Sequence, residues 1–214
     1  MTDVVGKDFD EWLANADMPN GKREILKATV RLFADKGYQG TSTAMIAREA
    51  GMSEAAIFKH FKTKKMLLHA ILQPLVQQLL PNFGEQFVNQ VKKHATTIDD
   101  LIAYVVRDRY YFLVNNYQVG IILLNQVLVD ADFCEELKQT LLPKLGSVFD
   151  QIQQLLDTTD NVDSKLIPSD IGKLVIGQFI THFIRQYKFK LPSEDSEVVI
   201  KKITTITQRA IRKN

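Results

Sequence analysis

Between Asn20 and Ala70 three short apolar stripes are separated by two glycine-marked breaks, and this pattern leaves few folds open. Ile25, Ala28, Leu32 and Phe33 recur at the spacing of one helix face, after the turn Pro19-Asn20-Gly21, where Asn20 is placed to cap the helix. Gly37 stops that helix, because glycine takes the left-handed C′ conformation without a Cβ penalty. A second helix opens after Thr41-Ser42, with Ser42 as N-cap, and buries Ile46, Ala47 and Ala50. Gly51 suits a tight turn with positive φ, and Ser53 caps a third helix. Ala47 lies four residues before Gly51, where a steeply crossing third helix needs a small side chain. Ile57 and Phe61 stand one turn apart and face a small core. Ala55 and Lys59 then point the opposite way, with Ala56 and Phe58 on the flanks. This is the layout of a helix-turn-helix, whose second helix presents its outer face to the DNA major groove.

Charge supports the same stretch. It holds ten basic and four acidic side chains, whereas residues 1–19 hold one Lys and five acids, and residues 71–214 hold equal numbers of each sign. The chain's net charge of +2 therefore hides a basic head on a neutral body, the electrostatic footprint of nucleic-acid binding.

The run from Gly40 to Leu68 resembles the tetracycline-repressor (TetR/AcrR) family of bacterial transcription regulators. Thr41, Ser42, Ile46-Ala47, Ala50-Gly51, Ser53, Ile57-Phe58, His60-Phe61, Lys64 and Leu67 carry the resemblance, with the LFADKG ending of the first helix. With the first helix included, it covers about a quarter of the chain, in one ungapped window. The resemblance implies an all-α fold: a three-helix DNA-binding head, a fourth helix, and a helical effector-binding and dimerisation body. The expected division is an acidic N-terminal arm over 1–18, the head over 19–79 with its motif at 42–61, and the body over 80–214.

The resemblance also implies roles in the head. Thr43 and His60 match backbone-contacting positions, and Lys64 matches a phosphate-binding lysine. Ser53 caps the recognition helix, and Glu54, Ala55, Phe58 and Lys59 occupy its groove-facing positions. Phosphate contacts position the protein, whereas base-edge contacts specify sequence. Three positions depart from the common pattern. Ala44 stands where some members place a base-reading Arg, and Phe58 lacks the hydroxyl of the usual Tyr, although it can pack on a thymine methyl. Glu54 is acidic, and two readings stand open: it accepts from cytosine N4, or it favours the helix N-terminus.

With 214 residues and 45% hydrophobic content, the chain can bury one or two cores. Its single cysteine, Cys134, excludes an intramolecular disulfide framework and suits a reducing cytosol. The N-terminus has no signal-like apolar core, and no apolar run approaches the ~20 residues of a membrane span. A cytoplasmic protein, on the bacterial nucleoid when bound to DNA, is expected. Phe9, Trp12 and Leu13 suit either a mobile arm or one amphipathic turn packed on the head, with the arm preferred. Helices are expected near 64–80, kinked at Pro74, and near 83–94, 98–115, 118–129, 133–156, 169–189 and 195–212. Pro143 should bend the fourth of these body helices, and Ser169 should cap the penultimate one.

Two surfaces are expected in the body. Aromatics with polar tips nominate an effector pocket lined by Tyr104, Tyr111, Asn125, Phe149 and His182, with Phe83 and Phe87 nearby, although such a stripe also suits plain core. The last two helices, through Phe179, Phe183, Ile203 and Ile206, are implied by the resemblance to form a four-helix dimer interface. The implied partners are a pseudo-palindromic double-stranded DNA operator, a second copy of the chain, and a small apolar or amphipathic effector; no membrane partner is expected. An alternative in the same family is control by a protein partner, as in nucleoid-occlusion members, whose recognition helix SEAAIFKHF is similar to. An enzyme is the weaker reading. The sequence has no phosphate-cradling glycine loop and no His and carboxylate pair at zinc spacing, so no catalytic residue, metal or cofactor is expected.

Overall fold

The computed structural model describes residues 9–79 and 95–213. The architecture is all-helical. Among the described residues no strand forms, and Val162 and Arg212 make one isolated antiparallel bridge. The helices are α1 (Phe9–Asn15), α2 (Asn20–Lys36), α3 (Thr43–Glu49), α4 (Glu54–His60), α5 (Lys64–Pro74), α6 (Ile98–Asn115), α7 (Tyr117–Val129), α8 (Ala131–Thr158), α9 (Pro168–Phe183) and α10 (Ser196–Ala210). The expected helix near 83–94 lies outside the described residues. Among those residues no single helix is long and apolar enough to cross a membrane.

The chain forms two compact units. The first contains described residues 9–79 and 115–142, and the second contains 95–114 and 143–213. The head therefore shares its unit with α7 and the start of α8. The reason is packing: α7 lies against both α2 and α5 and contributes buried Val119 and Ile122. The chain passes from the first unit to the second within α8, at Pro143.

Side-chain oxygens set several helix starts. Ser42 Oγ accepts from Met45 N at 3.2 Å, Ser53 Oγ from Ala56 N at 3.2 Å, and Thr63 Oγ1 from Met66 N at 3.2 Å. Thr97 and Asp100 cap α6 reciprocally: Thr97 Oγ1 accepts from Asp100 N, and Asp100 Oδ2 accepts from Thr97 N, both at 3.1 Å. Thr97 and Thr96, by donating to that carboxylate, hold Asp100 below its ordinary pKa. Two expected caps are corrected. Asn20 is already helical, with Pro19 at the cap position and no side-chain cap. Ser169 lies inside α9, which starts at Pro168, and Asp170 accepts from Ile167 N at 3.1 Å instead. Proline at a first helical position loses no needed donor. Pro74 ends α5, and the chain widens into a π-helical turn over Leu75–Leu79.

The N-terminal stretch corrects the preference for a mobile arm. Phe9 and Leu13 are buried. Phe9 N donates to Asn116 Oδ1 at 2.8 Å, and Arg23 donates to Leu13 O at 2.8 Å and Ala16 O at 2.9 Å. Arg23 thus satisfies carbonyls that α1, as a seven-residue helix, leaves open at its end. Phe9→Ala or Leu13→Ala should lower the stability of the first unit by about 2–5 kcal/mol. Thermal unfolding checks this, and an unchanged melting temperature for both would return α1 to a passive arm.

Candidate nucleic-acid interface

The head's core is built from one face of each helix. Ile25, Leu26, Phe33, Ile46, Ile57, Phe61, Leu67 and Ile71 are at most 3% exposed. Each buried Leu, Ile or Phe contributes about 1.5–3 kcal/mol by leaving water. Gly51, at φ 65°, takes the left-handed turn that lets Met52 N return to Ala47 O at 2.9 Å. Gly37, at φ 75°, closes α2 through its N–H to Phe33 O at 3.0 Å. These two turns orient α3 and α4, and α4 packs on both α3 and α2.

With Ile57 and Phe61 turned inward, the other face of α4 is open. Ser53, Glu54, Ala55, Phe58 and Lys59 are exposed, while His60 is half-buried. On α3, Ala44 is exposed and Thr43 half-buried. Phe58 leaves 46% of its surface in water, an apolar ring without a place in the core. Three of the expected DNA-facing residues have polar atoms that are already engaged. Ser53 Oγ is the α4 cap. The Thr43 hydroxyl donates to Glu54 Oε1. Lys64 Nζ donates to Tyr38 O at 2.9 Å and Thr41 O at 3.0 Å, and lies 4.3 Å from the Tyr38 ring centroid.

Lys64 therefore clamps the α2–α3 loop to the start of α5. The loop is held again by Thr41, whose buried hydroxyl donates to Gly37 O at 2.9 Å, and by Tyr38 edge-on to Phe33 at 5.3 Å. An ammonium has three protons, and two are spent on carbonyls. Sequence reasoning missed this role, because Tyr38 and Thr41 lie 26 and 23 residues away. Lys64→Met should cost about 1.5–3 kcal/mol of head stability, the range for hydrogen bonds to a charged group. Phe58→Ala should stay within about 0.5 kcal/mol. Paired thermal melts check the contrast, and equal losses would remove the clamp.

The expected effector-pocket residues divide between the two units. Asn125 is exposed on the first unit. In the second, Phe149 is exposed on α8. Tyr111 donates its hydroxyl to Glu197 Oε1 at 2.9 Å, beside the exposed pair in which Arg107 donates to both carboxylate oxygens of Glu197. Tyr104 packs on the core, where burial raises its pKa and Asp108 adds to the rise. His182 meets aromatic rings, 5.8 Å from Tyr110 and 5.4 Å from Phe183 between ring centroids. Helical phase separates the two adjacent tyrosines of α6. Tyr110 is buried, and Tyr111, a hundred degrees further round α6, reaches the edge. Phe83 and Phe87 lie outside the described residues. A small recess in the first unit, of about 90 Å³, was not anticipated; Lys65, Leu68, His69, Gln126, Asp130 and Phe133 are among its walls.

His182 Nε2 and Gln186 Oε1 are both buried. Burial pushes the His182 pKa down, against the opposing pulls of Glu194 and of a hydrogen bond with Gln186. A base with a lowered folded pKa keeps full stability above its unfolded value of about 6.5 and loses it as pH falls below, where only the unfolded chain takes the proton. Wild type should lose melting temperature between about pH 6.5 and 5 more steeply than His182→Gln, and parallel curves would refute this.

The expected dimer residues are also redistributed. Phe179 and Ile203 are 3% and 5% exposed and belong to the protomer's own core. Phe183 is half-buried and stacks on Tyr187 at 5.6 Å. Ile206 is open at 54%. The exposed apolar stripe on α9 is instead Ile176, Ile180 and, just past its end, Ile184, with Val198 and Ile206 exposed on α10. Their i, i+4 spacing was readable, but the inward and outward stripes are both apolar, so periodicity alone did not separate them.

Comparison with known proteins agrees with the head's geometry. Residues 25–71 match the model of the bacterial regulatory proteins of the TetR family. An uncharacterised helix-turn-helix transcriptional regulator of Bacillus subtilis, YvkB, is 48% identical over 54 residues, which span 25% of this chain and only 28% of that relative. The nucleoid occlusion factor SlmA of Haemophilus influenzae is 24% identical over 182 residues, 82% of this chain and 80% of that one. The fold matches the solved structure of the transcriptional regulator FadR of Bacillus subtilis in complex with stearoyl-CoA, with a TM-score of 0.57 and 19% identity, covering 88% of this chain and 98% of that one. With its helix-turn-helix built on the matched residues, the stretch 25–71 of this chain is a DNA-binding head of the bacterial TetR regulator type.

Proposed function

We propose that this chain is a sequence-specific DNA-binding transcriptional regulator, a homodimeric repressor released from its operator by a small apolar or amphipathic effector. One observation carries the reading: α4 buries Ile57, with Phe61 buried at its C-cap, and leaves Glu54, Ala55, Phe58 and Lys59 open on a basic head. That face suits base edges, while Lys59, His60 and the remaining proton of Lys64 suit phosphates. The stripe of Ile176, Ile180 and Ile184, with Val198 and Ile206, supports the dimer, since apolar side chains this exposed gain by meeting a copy of themselves. The protein would work in the cytoplasm, on the nucleoid when bound.

Two printed likenesses bear on release. The structural likeness to a regulator holding stearoyl-CoA supports an acyl-type effector. The alignment with a nucleoid occlusion factor, over most of both chains, supports the second reading, control by a protein partner. Adding acyl-CoA to the DNA complex separates them: release favours the effector, and a complex that persists at saturating acyl-CoA favours the partner.

DNA selection should return a pseudo-palindrome with half-sites about one helical turn apart or slightly more, and affinity should fall steeply with salt as basic side chains displace counterions. Ile180→Asp should split the dimer while leaving each protomer folded, whereas Phe179→Asp should unfold the second unit by burying an unpaired charge. Sedimentation with circular dichroism checks both. A non-palindromic site bound by a monomer, or a dimer intact in Ile180→Asp, would reject the arrangement.

A further inference from the structure

We propose that Glu54 reads a cytosine in each operator half-site and that Thr43 is its positioning residue, an inference that rests on the DNA-binding reading above. Glu54 is the first residue of α4 and Thr43 the first of α3, and the Thr43 hydroxyl donates to Glu54 Oε1. Neither residue serves as a cap. Ser42 Oγ already accepts from Met45 N, and Ser53 Oγ from Ala56 N. The carboxylate is therefore held by a hydroxyl from the neighbouring helix, at the end of α4 where a recognition helix contacts base edges.

The neighbours make Glu54 decisive. Ala44 and Ala55 are too short to reach a base by hydrogen bond, and Phe58 has no polar atom. Among the exposed positions of α4, Glu54 and Lys59 are the long polar side chains. A carboxylate offers only acceptors. In the major groove, guanine O6 and N7 and thymine O4 are acceptors and repel it. Adenine offers its N6 amino group beside the N7 acceptor. Cytosine offers the N4 amino group with no acceptor of its own on that edge. Facing phosphates, a carboxylate left unmatched weakens binding to every other sequence, so Glu54 acts chiefly as a discriminator. Thr43 has one hydroxyl proton. Given to Glu54, it fixes the carboxylate and is not donated to a phosphate, and the other carboxylate oxygen accepts from cytosine N4.

The test is selection from a randomised duplex library by the full chain as wild type, Glu54→Ala, Glu54→Gln, Thr43→Val and Thr43→Ser. Wild type should select cytosine at one symmetric position in each half-site. Glu54→Ala should cut that preference by about 5- to 100-fold and leave the other positions unchanged. Glu54→Gln should move the preference toward adenine, whose N6 and N7 match an amide, a gain that misfolding cannot imitate. Thr43→Val should weaken the same preference by a smaller factor, and Thr43→Ser should restore it. A consensus unchanged by Glu54→Ala and Glu54→Gln overturns the assignment to Glu54. A uniform loss of affinity across all sequences in Thr43→Val overturns the positioning role and puts Thr43 on a phosphate. A wild-type chain that selects no sequence rejects the DNA-binding reading itself, a separate result.

Discussion

The burial of Ile57 and Phe61 is the interaction on which the head depends. Helix α4 has seven residues, far below the ~12–15 at which an isolated helix becomes even marginal in water. It exists because Ile57, at 0% exposure, and Phe61, at 3%, seat it on its neighbours. Its open face follows from the same act. Two residues pinned inward one turn apart leave Glu54, Ala55, Phe58 and Lys59 outward by helical geometry. The left-handed turn at Gly51 and the small Ala47 let α4 come close enough for that seating. Folding and recognition are thus two faces of one helix.

Polar side chains in the head divide between structure and exposure. Lys64, Arg23 and Thr41 satisfy backbone carbonyls of loops and helix ends. Those carbonyls lack helical partners, and supplying them from outside fixes the angles between short helices that have little packing area of their own. Thr43 and Glu54 pair across the two helices of the motif. Lys59 stays exposed on α4. A count of basic residues locates the head, yet it does not say which cations remain available to a phosphate.

The second unit uses an apolar core with a few buried polar ties. Gln178 Nε2 donates to Leu174 O and to Thr207 Oγ1, both at 3.0 Å, which fixes α9 against α10. Thr207 is fully buried and donates to Ile203 O at 2.8 Å. Against these satisfied groups, Asp99 Oδ1 stands out as a buried atom without a partner. Unsatisfied buried atoms cost stability. His182 lies near the end of α9, beside the aromatic rings of Tyr110 and Phe183, and Gln186 follows in the π-helical turn Ile184–Lys188.

The chain's local chemistry was enough for the helical class, the α2–α4 motif, the caps at Ser42 and Ser53 and the positive-φ turns at Gly37 and Gly51. Each depends on residues within a few positions of one another, where spacing and side-chain type decide the conformation. The open face of α4 was legible for the same reason: one helix with one apolar pair has only one way to turn. What the sequence did not decide was every matter of which surface meets which. The packing of Phe9 and Leu13, the Lys64 clamp, the grouping of α7 with the head, and the inward turn of Phe179 and Ile203 all depend on contacts between distant segments. In α9 and α10 apolar residues lie on both sides of each helix, so periodicity supplies two candidate faces. Only the packed core shows which one a protomer keeps for itself.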